Sequence, residues 1–188
     1  MRLERLLRDI DRSGGEDFDG ALARLVDSAT VLLHADGAGL MLTDEHEVLR
    51  CAAASDRAGR TLETAQERLG AGPALESFRR NLVVLCSDLP ADSRWPDLRH
   101  LVDARAVRAV LSAPVCLPEE GPVGTLNVYA STPRDWTLSE ISAVSACADV
   151  AASLVGLALL ARFRGVLLDR LLVALGSPGR PGSGPLPG

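Results

Sequence analysis

The stretch that decides the fold is "VRAVLSAPVCLPEEGPVGTLNVYAS", residues 107–131. It contains two runs rich in Val, Leu and Ala, which are separated by the turn-forming residues "PEEGP". Two such runs joined by a short loop predict an antiparallel β-hairpin. An earlier pair, "LMLT" and "VLRCAAAS" around "DEHE" at 44–47, predicts a second hairpin, and "LVVLCSD" at 82–88 predicts a further strand. The sequence therefore predicts an antiparallel sheet.

Helical patterns surround these strands. Leu and Ile recur on one stripe of residues 2–12, and "SGGE" at 13–16 fits a capping box for a second helix over 17–34. The face of that helix predicted to be buried carries Phe18, Leu22, Leu25, Ala29 and Leu32.

Shorter helices are predicted between the strands. Residues 56–70 are charged and indicate a short helix or a mobile excursion. "GPALESFRRN" predicts a helix with Pro73 in its first turn, and "DLRHLVDA" at 97–104 a short helix with Leu98, Leu101 and Val102 facing inward. Hairpins with helices segregated around them predict an α+β fold with a central antiparallel β-sheet. The sequence contains no βαβ unit with a glycine fingerprint, which argues against a dinucleotide-binding fold.

A long helix is predicted from Thr137, where "TLSE" forms a capping box. Two apolar stripes run along it, one through Ile141, Val144, Ala148, Ala151, Val155 and Ala158, the other through Leu154, Leu157, Leu160, Phe163 and Leu167. A helix with two apolar faces needs two partners, which we expect to be its own sheet and a second copy of the chain. The candidate dimer interface comprises Ile141, Val144, Leu154, Leu157, Leu160, Phe163 and Leu167.

Four segments follow from these patterns. Residues 1–16 are expected to form an N-terminal amphipathic helix and turn, 17–160 the globular domain, and 161–175 a C-terminal extension of the long helix. Residues 176–188, "GSPGRPGSGPLPG", lack any core residue and are predicted to be disordered.

Composition excludes several classes of function. The chain has 188 residues, 47% of them hydrophobic, and a net charge of −5, so no basic field attracts nucleic acid. The N-terminus lacks the apolar core of a signal peptide, and Asp149 with several serines interrupts the apolar run 141–161. We therefore expect a cytoplasmic protein with no membrane span. The three histidines show no metal-ligand spacing, and the four cysteines form no CxxC pair, so no metal site is predicted.

The order of these elements, together with "DLPADSRWPDL", "VRAVLSAPVCL" and "GPVGTLNVYAS", resembles a GAF domain. It is most similar to the actinobacterial type that precedes ANTAR RNA-binding domains, over Phe18 to Leu160. The resemblance implies a sensory module, with terminal helices on one face of the sheet and short helices and loops closing a small-molecule pocket on the other. No ANTAR domain follows the long helix here, so the output is expected to pass through that helix or a protein partner, without direct contact to nucleic acid.

The resemblance places Trp95 over the pocket face. Pro96 biases Trp95 toward extended backbone, and the indole either plugs the core or contacts a ligand. No cofactor is identified. The candidate pocket residues are Phe78, Val84, Cys86, Trp95, Leu98, Leu101, Val110 and Ser112.

Two alternatives stay open beside a ligand-binding sensor. One is an interaction module whose pocket has collapsed, leaving dimerisation or partner docking as its role. The other is an enzyme similar to free methionine sulfoxide reductase, in which Cys86 is the best candidate nucleophile. Related sequences usually carry Cys where Ala74 stands in "GPA", so thiol chemistry at that position is not expected.

Overall fold

The computed structural model describes residues 15–175, and the predictions for residues 2–12, for the cap at Ser13 and for the tail 176–188 lie outside that range. Five strands form one sheet in the order β2-β1-β5-β4-β3, and every neighbouring pair is antiparallel. The α+β fold with a central antiparallel sheet is thus confirmed. The elements in chain order are α1 Gly15–Leu32, β1 Gly37–Thr43, β2 Leu49–Ala54, α2 Arg57–Leu69, α3 Pro73–Arg80, β3 Val84–Cys86, β4 Ala109–Leu117, β5 Gly121–Ala130 and α4 Leu138–Leu175, with 3-10 turns at Leu89–Ala91 and Leu98–His100.

Both predicted hairpins form. β4 pairs with β5 from Ala109↔Ala130 to Leu117↔Gly121, and β1 pairs with β2 from Gly39↔Ala54 to Thr43↔Leu49. Strand β1 is buried along its whole length because helices cover both faces of the sheet beside it. Strand β3 has only three residues, fewer than the sequence predicts, and forms one edge of the sheet.

Helices α1 and α4 cover one face of the sheet and form the larger core with it. Leu22, Leu25 and Ala29 of α1 are buried as predicted. The prediction for Leu32 is wrong, because Leu32 is exposed and the next residue, Leu33, is buried instead. Leu33 continues the buried face of Val26 and Ala29, and its N–H donates to the Ala29 carbonyl at 3.0 Å before the left-handed backbone of His34 (φ 47°) turns the chain.

The predicted capping box begins α4. The Thr137 backbone N–H donates to Glu140 Oε2 at 2.8 Å, and the Glu140 N–H donates to Thr137 Oγ1 at 3.3 Å. The backbone N–H groups of Thr137 and Glu140 at the start of the helix therefore both have hydrogen-bond partners. By length and composition alone, Leu138–Leu168 is apolar enough to cross a membrane. Some of these apolar residues belong to the hydrophobic core of the domain, since Ala148, Ala151 and Val155 pack against the sheet of the same chain.

The two predicted stripes of α4 have different surroundings. Val144 is fully buried in the core of its own chain, so its assignment to a dimer interface is wrong. Ile141 and Leu154 are partly buried against the same core. The remaining predicted interface residues are all more than half exposed in the single chain: Leu157, Leu160, Phe163 and Leu167.

Helices α2 and α3 lie on the opposite face of the sheet. Asp56 caps α2 by accepting a hydrogen bond from the Gly59 N–H at 2.7 Å, and Gly70 ends the helix in the left-handed conformation. Residues predicted as a helix or a mobile excursion thus form a regular helix. Pro73 is the first residue of α3, as the sequence predicts.

Candidate functional site

A row of side chains crosses the sheet under α2 and α3. Asn127 on β5 stands directly opposite Gly39 on β1 and Ser112 on β4, and Ser112 stands opposite Val84 on β3. Residues opposite one another on neighbouring strands point to the same face. The side chains of Asn127 and Ser112, both fully buried, therefore meet on the face that α2 and α3 cover. We call Glu63, Ser112 and Asn127 the polar row.

Glu63 enters this row from α2. The buried side of α2 carries Leu62 and Ala65 together with two polar residues, Glu63 and Gln66. The Glu63 carboxyl group lies directly over Gly39, where a Cβ atom would overlap the carboxyl oxygen Oε1. The absence of a side chain at Gly39 is thus what lets a carboxyl group lie against the middle of the sheet.

Hydrogen bonds hold Glu63 from two sides. The side-chain amide of Asn127 donates to Glu63 Oε1 at 2.9 Å, and that of Gln66 donates to Oε2 at 3.0 Å. Gln66 Oε1 in turn accepts the backbone N–H of Ala74 at 2.8 Å, at the start of α3. The network therefore connects β5, α2 and α3 through buried side chains.

The position of Glu63 changes its ionisation. Burial raises the pKa of the carboxyl group to about 8, and the hydrogen bonds from Asn127 and Gln66 lower it only in part. Glu63 is therefore largely protonated and uncharged at neutral pH. A buried carboxyl group with a pKa this far from its usual range is a physical marker of a functional site.

Two polar atoms of the row lack partners. Within residues 15–175, Ser112 Oγ and Asn127 Oδ1 are buried and form no hydrogen bond. Leaving a buried polar group unpaired costs about 1–3 kcal/mol, and native proteins contain few of them. Both atoms belong to residues that face each other across β4 and β5. The row thus presents two unused hydrogen-bonding positions beside a buried carboxyl group.

An apolar cluster adjoins the polar row. Val84 is the strand neighbour of Ser112, and Leu62 precedes Glu63 on α2. Both belong to a cluster that includes Trp95, whose side chain is only 6% exposed. The other members are Ala65, Cys86, Leu89, Leu98, Val102, Val107, Val110 and Tyr129.

Ion pairs and stacking fix the loop that carries Trp95. The Arg94 guanidinium stacks on the indole at 4.1 Å from the ring centroid, pairs with Asp92 and donates to the Leu85 carbonyl at 2.6 Å. Asp88, at the start of the loop, accepts two hydrogen bonds from Arg108, each at 2.7 Å. Both ends of the loop are thereby tied to the edge of the sheet, with the indole turned inward.

The predicted pocket residues lie in four different surroundings. Val84, Cys86, Trp95, Leu98 and Val110 share the apolar cluster, and Ser112 lies in the adjoining polar row. Phe78 is half-buried in a separate cluster with Met41, Leu49, Ala74 and Leu75. The inward placement of Leu101 is wrong. Its side chain is 40% exposed because it follows a single 3-10 turn, which buries Leu98 and Val102 and leaves Leu101 outward.

Sequence reasoning missed the residues that make the site polar. Glu63, Gln66 and Asn127 were not predicted to be functional, although a signal for Asn127 exists. In "GTLNVYA" the polar residues Thr125, Asn127 and Tyr129 alternate with apolar ones, which indicates a strand with one polar face. Glu63 lies in a helix rich in charge, and no local pattern distinguishes it from its solvated neighbours.

The pKa values of the four cysteine thiols are all raised. Burial raises the pKa of Cys86 to about 12, with Asp92 adding to the effect, and raises that of Cys51 to about 11. The pKa values of Cys116 and Cys147 are raised for the same reason. All four cysteines are unpaired thiols. Because the thiolate is the nucleophile, none is activated for redox chemistry. Within residues 15–175, no three His, Cys, Asp or Glu side chains are arranged to hold a metal ion.

This architecture defines a class of small α+β domains. A five-stranded antiparallel sheet carries long helices on one face, and short helices with an inward-folded loop cover a partly polar centre on the other. The family model for the GAF domain matches residues 15–155, so the chain belongs to the GAF domain family, a signalling and sensory fold. No curated protein matches the chain.

Solved structures agree with this assignment. The GAF domain from a phosphoenolpyruvate-protein phosphotransferase of Coxiella burnetii is 18% identical, with a TM-score of 0.62, and the match covers 88% of this chain and 98% of that one. The blue-light absorbing PixJ GAF domain of Thermosynechococcus elongatus is 20% identical at a TM-score of 0.54, over 86% and 94% of the two chains. The type II free methionine-R-sulfoxide reductase of Thermoplasma acidophilum is 16% identical at 0.56, over 73% and 94%. At identities of 16–20%, the similarity to these three structures shows a shared fold.

Proposed function

We propose that this GAF domain is a non-catalytic sensory module that binds a small molecule at the polar row, beneath α2, α3 and the Trp95 loop. The observation that carries the proposal is the pair of buried, unpaired atoms Ser112 Oγ and Asn127 Oδ1 beside Glu63. A ligand that fills these hydrogen-bonding positions removes their desolvation cost and binds with orientation.

Strand alternation supplies a route from the ligand to the long helix. Ser112 points toward the polar row, whereas its neighbours Leu111 and Ala113 point to the other face and pack in the core that contains α4. A displacement of β4 by the ligand therefore changes the surface on which α4 rests. Such a helix shift is a two-state element that a ligand can bias.

The exposed stripe of α4 supports output through a second copy of the chain. Leu157, Leu160 and Phe163 are each more than half exposed and follow one another at helical spacing. Pairing these stripes between two copies would bury them, and a change in the α4 angle would then reach a protein partner. We place the module in the cytoplasm, with α4 serving protein contacts and no membrane span or direct nucleic-acid contact.

Native mass spectrometry of freshly purified protein, beside the same sample denatured, tests the ligand. We expect additional mass that is lost on denaturation, with reduced occupancy in Ser112→Ala and Asn127→Leu. Leu82→Ala, at an exposed position away from the row, is the matched control and should retain the ligand. A bare protein under all conditions would contradict ligand binding.

A second function is favoured by how closely the centre is packed. The indole of Trp95 is buried in the apolar cluster, as it would be in a domain whose pocket has collapsed. In that case the domain serves dimerisation or partner docking alone, and a bare dimer in the same experiment would favour it. A reductase is disfavoured because burial holds Cys86 as a thiol.

A further inference from the structure

The uncommitted oxygen atoms of the polar row can all accept hydrogen bonds. The amide nitrogens of Asn127 and Gln66 both donate to Glu63, and Gln66 Oε1 is occupied by the Ala74 N–H. What remains is the carbonyl oxygen of Asn127, the hydroxyl of Ser112 and the outer lone pairs of the Glu63 carboxyl group. A ligand group rich in donors matches this set, whereas a carboxylate, which has no donor, would leave Asn127 Oδ1 unpaired.

The charge of the site also favours a ligand group that donates hydrogen bonds and carries a positive charge. Within residues 15–175, no arginine pairs with Glu63, and burial is the largest influence on its ionisation. The two amide donors on the Glu63 carboxyl group would also stabilise its carboxylate form, and a bound cation would supply the opposite charge that this form needs. A primary ammonium group has three donors and one positive charge, which suits one carboxylate and two neutral acceptors.

On the basis of the proposed function, we propose that the ligand is a primary amine with an apolar body. Its ammonium group donates to Glu63, Asn127 Oδ1 and Ser112 Oγ, and its body lies against the Trp95 cluster. Binding converts the Glu63 carboxylic acid into a carboxylate that pairs with the ammonium ion, and the displaced proton passes to solvent. Atoms and charge balance, since one cation enters and one proton leaves.

The ionisation states of the groups around Glu63 identify which group releases this proton. Within residues 15–175, Cys51 on β2 and Tyr129 on β5 lie near the row, and the Tyr129 hydroxyl donates to Asp56 at 2.6 Å. Burial raises the pKa of Cys51 and of Tyr129, so both stay neutral near pH 8. On α3, Glu76 is paired with Arg80, and Arg79 extends from the exposed side. On α2, Glu67 is paired with Arg50. Glu63 is thus the group that exchanges its proton when a cation binds.

A matched set of probes separates amine binding from ligand binding in general. Isothermal titration calorimetry is run with 2-phenylethylamine, phenylacetamide and phenylacetate, and with 3-methylbutylamine, 3-methylbutanamide and 3-methylbutanoate. Two buffers of different ionisation enthalpy at pH 7 report the protons released. We expect an amine to bind at least about tenfold more tightly than its amide and its acid, with release of roughly one proton. Its affinity should rise about tenfold per pH unit between about pH 6 and 7.5.

Substitutions in and beside the polar row test which side chains bind the amine. Glu63→Gln should weaken amine binding at least about tenfold and abolish proton release. Glu67→Gln, which removes the charge of a partly buried carboxylate that lies on the same helix and pairs with Arg50, should change neither. Ser112→Ala removes a single oxygen from the row and should weaken the amine with proton release intact.

The outcomes distinguish the two proposals. If an amide or an acid binds best, and that binding is lost in Asn127→Leu, the site binds ligands but the ammonium assignment is wrong. Amine binding without proton release, or binding unchanged by Glu63→Gln, also overturns the assignment. If no probe of any class binds and native mass spectrometry shows a bare protein, both proposals fail.

Discussion

The side-chain amide of Asn127, in the middle strand of the sheet, donates a 2.9 Å hydrogen bond to the buried carboxyl group of Glu63, which is 64 residues away along the chain. The bond joins the sheet to α2, and Gln66 extends the connection to α3. Both partners are fully buried, so the pair forms a polar centre beside the apolar cluster of Trp95. Its consequences for stability, packing and binding can each be measured.

The first prediction concerns the pH dependence of stability. Because the folded pKa of Glu63, about 8, lies above the value of an unfolded glutamate, the folded protein holds a proton that the unfolded chain releases. The stabilisation is complete below about pH 4.5 and is lost as pH rises toward 8, at about 1 kcal/mol per pH unit. Urea unfolding of wild-type protein and Glu63→Gln between about pH 5 and 9 should show this slope only in the wild type. An unchanged slope in the variant, or its loss in Glu67→Gln, would contradict the assignment.

A second prediction tests the contact of Glu63 with Gly39. A Cβ atom at position 39 overlaps the carboxyl group, so Gly39→Ala should lower the free energy of unfolding by about 1–3 kcal/mol. Gly165→Ala on α4, where a Cβ atom meets nothing within 4 Å, should be neutral or stabilising by up to about 1 kcal/mol. Thermal unfolding measures both. Equal effects at the two positions would show that Glu63 does not lie over Gly39.

The third prediction separates Trp95 from the arginine stacked on it. Trp95→Ala removes a buried indole from the apolar cluster and should cost about 3–5 kcal/mol of stability. Arg94→Ala should cost only about 1 kcal/mol, since its pair with Asp92 is partly exposed to solvent. Denaturant unfolding followed by fluorescence reports both values. If the two costs are similar, the indole is not the anchor of the loop.

The fourth prediction concerns the two faces of α4. Leu157→Arg combined with Phe163→Arg should give a folded monomer, because both side chains are more than half exposed in the single chain. Val144→Arg should instead unfold the domain, since Val144 is fully buried against the sheet. Light scattering after size-exclusion chromatography and circular dichroism check mass and folding. A dimer that survives both arginines would remove the α4 stripe as the interface.

A fifth prediction follows from the thiols. With its pKa near 12, Cys86 should react slowly with a disulfide reagent at about pH 8 in the native protein and quickly after unfolding. Free methionine sulfoxide should not be reduced above background in the presence of a dithiol, in wild type or in Cys86→Ala. Turnover that disappears in Cys86→Ala would establish the reductase alternative.

Local patterns in the sequence determined the elements and their kinds. Alternating and continuous apolar runs around "DEHE" and "PEEGP" specified both hairpins, and Pro73 and "TLSE" marked two helix starts, because turns and caps depend on neighbouring residues. The apolar stripe through Val155 was likewise readable as a buried face.

Tertiary structure decided which of several equivalent residues faces inward. At the end of α1 the spacing allowed Leu32 or Leu33, and the seating of the helix on the sheet buries Leu33, which follows Val26 and Ala29 on one face. The pairing of Glu63 with Asn127 depends on strand register and on the seating of α2 over Gly39. A slip of one residue would reverse the face of every side chain on β5. Such contacts join segments distant in sequence, so only the packed sheet and helices bring the carboxyl group and the amide together.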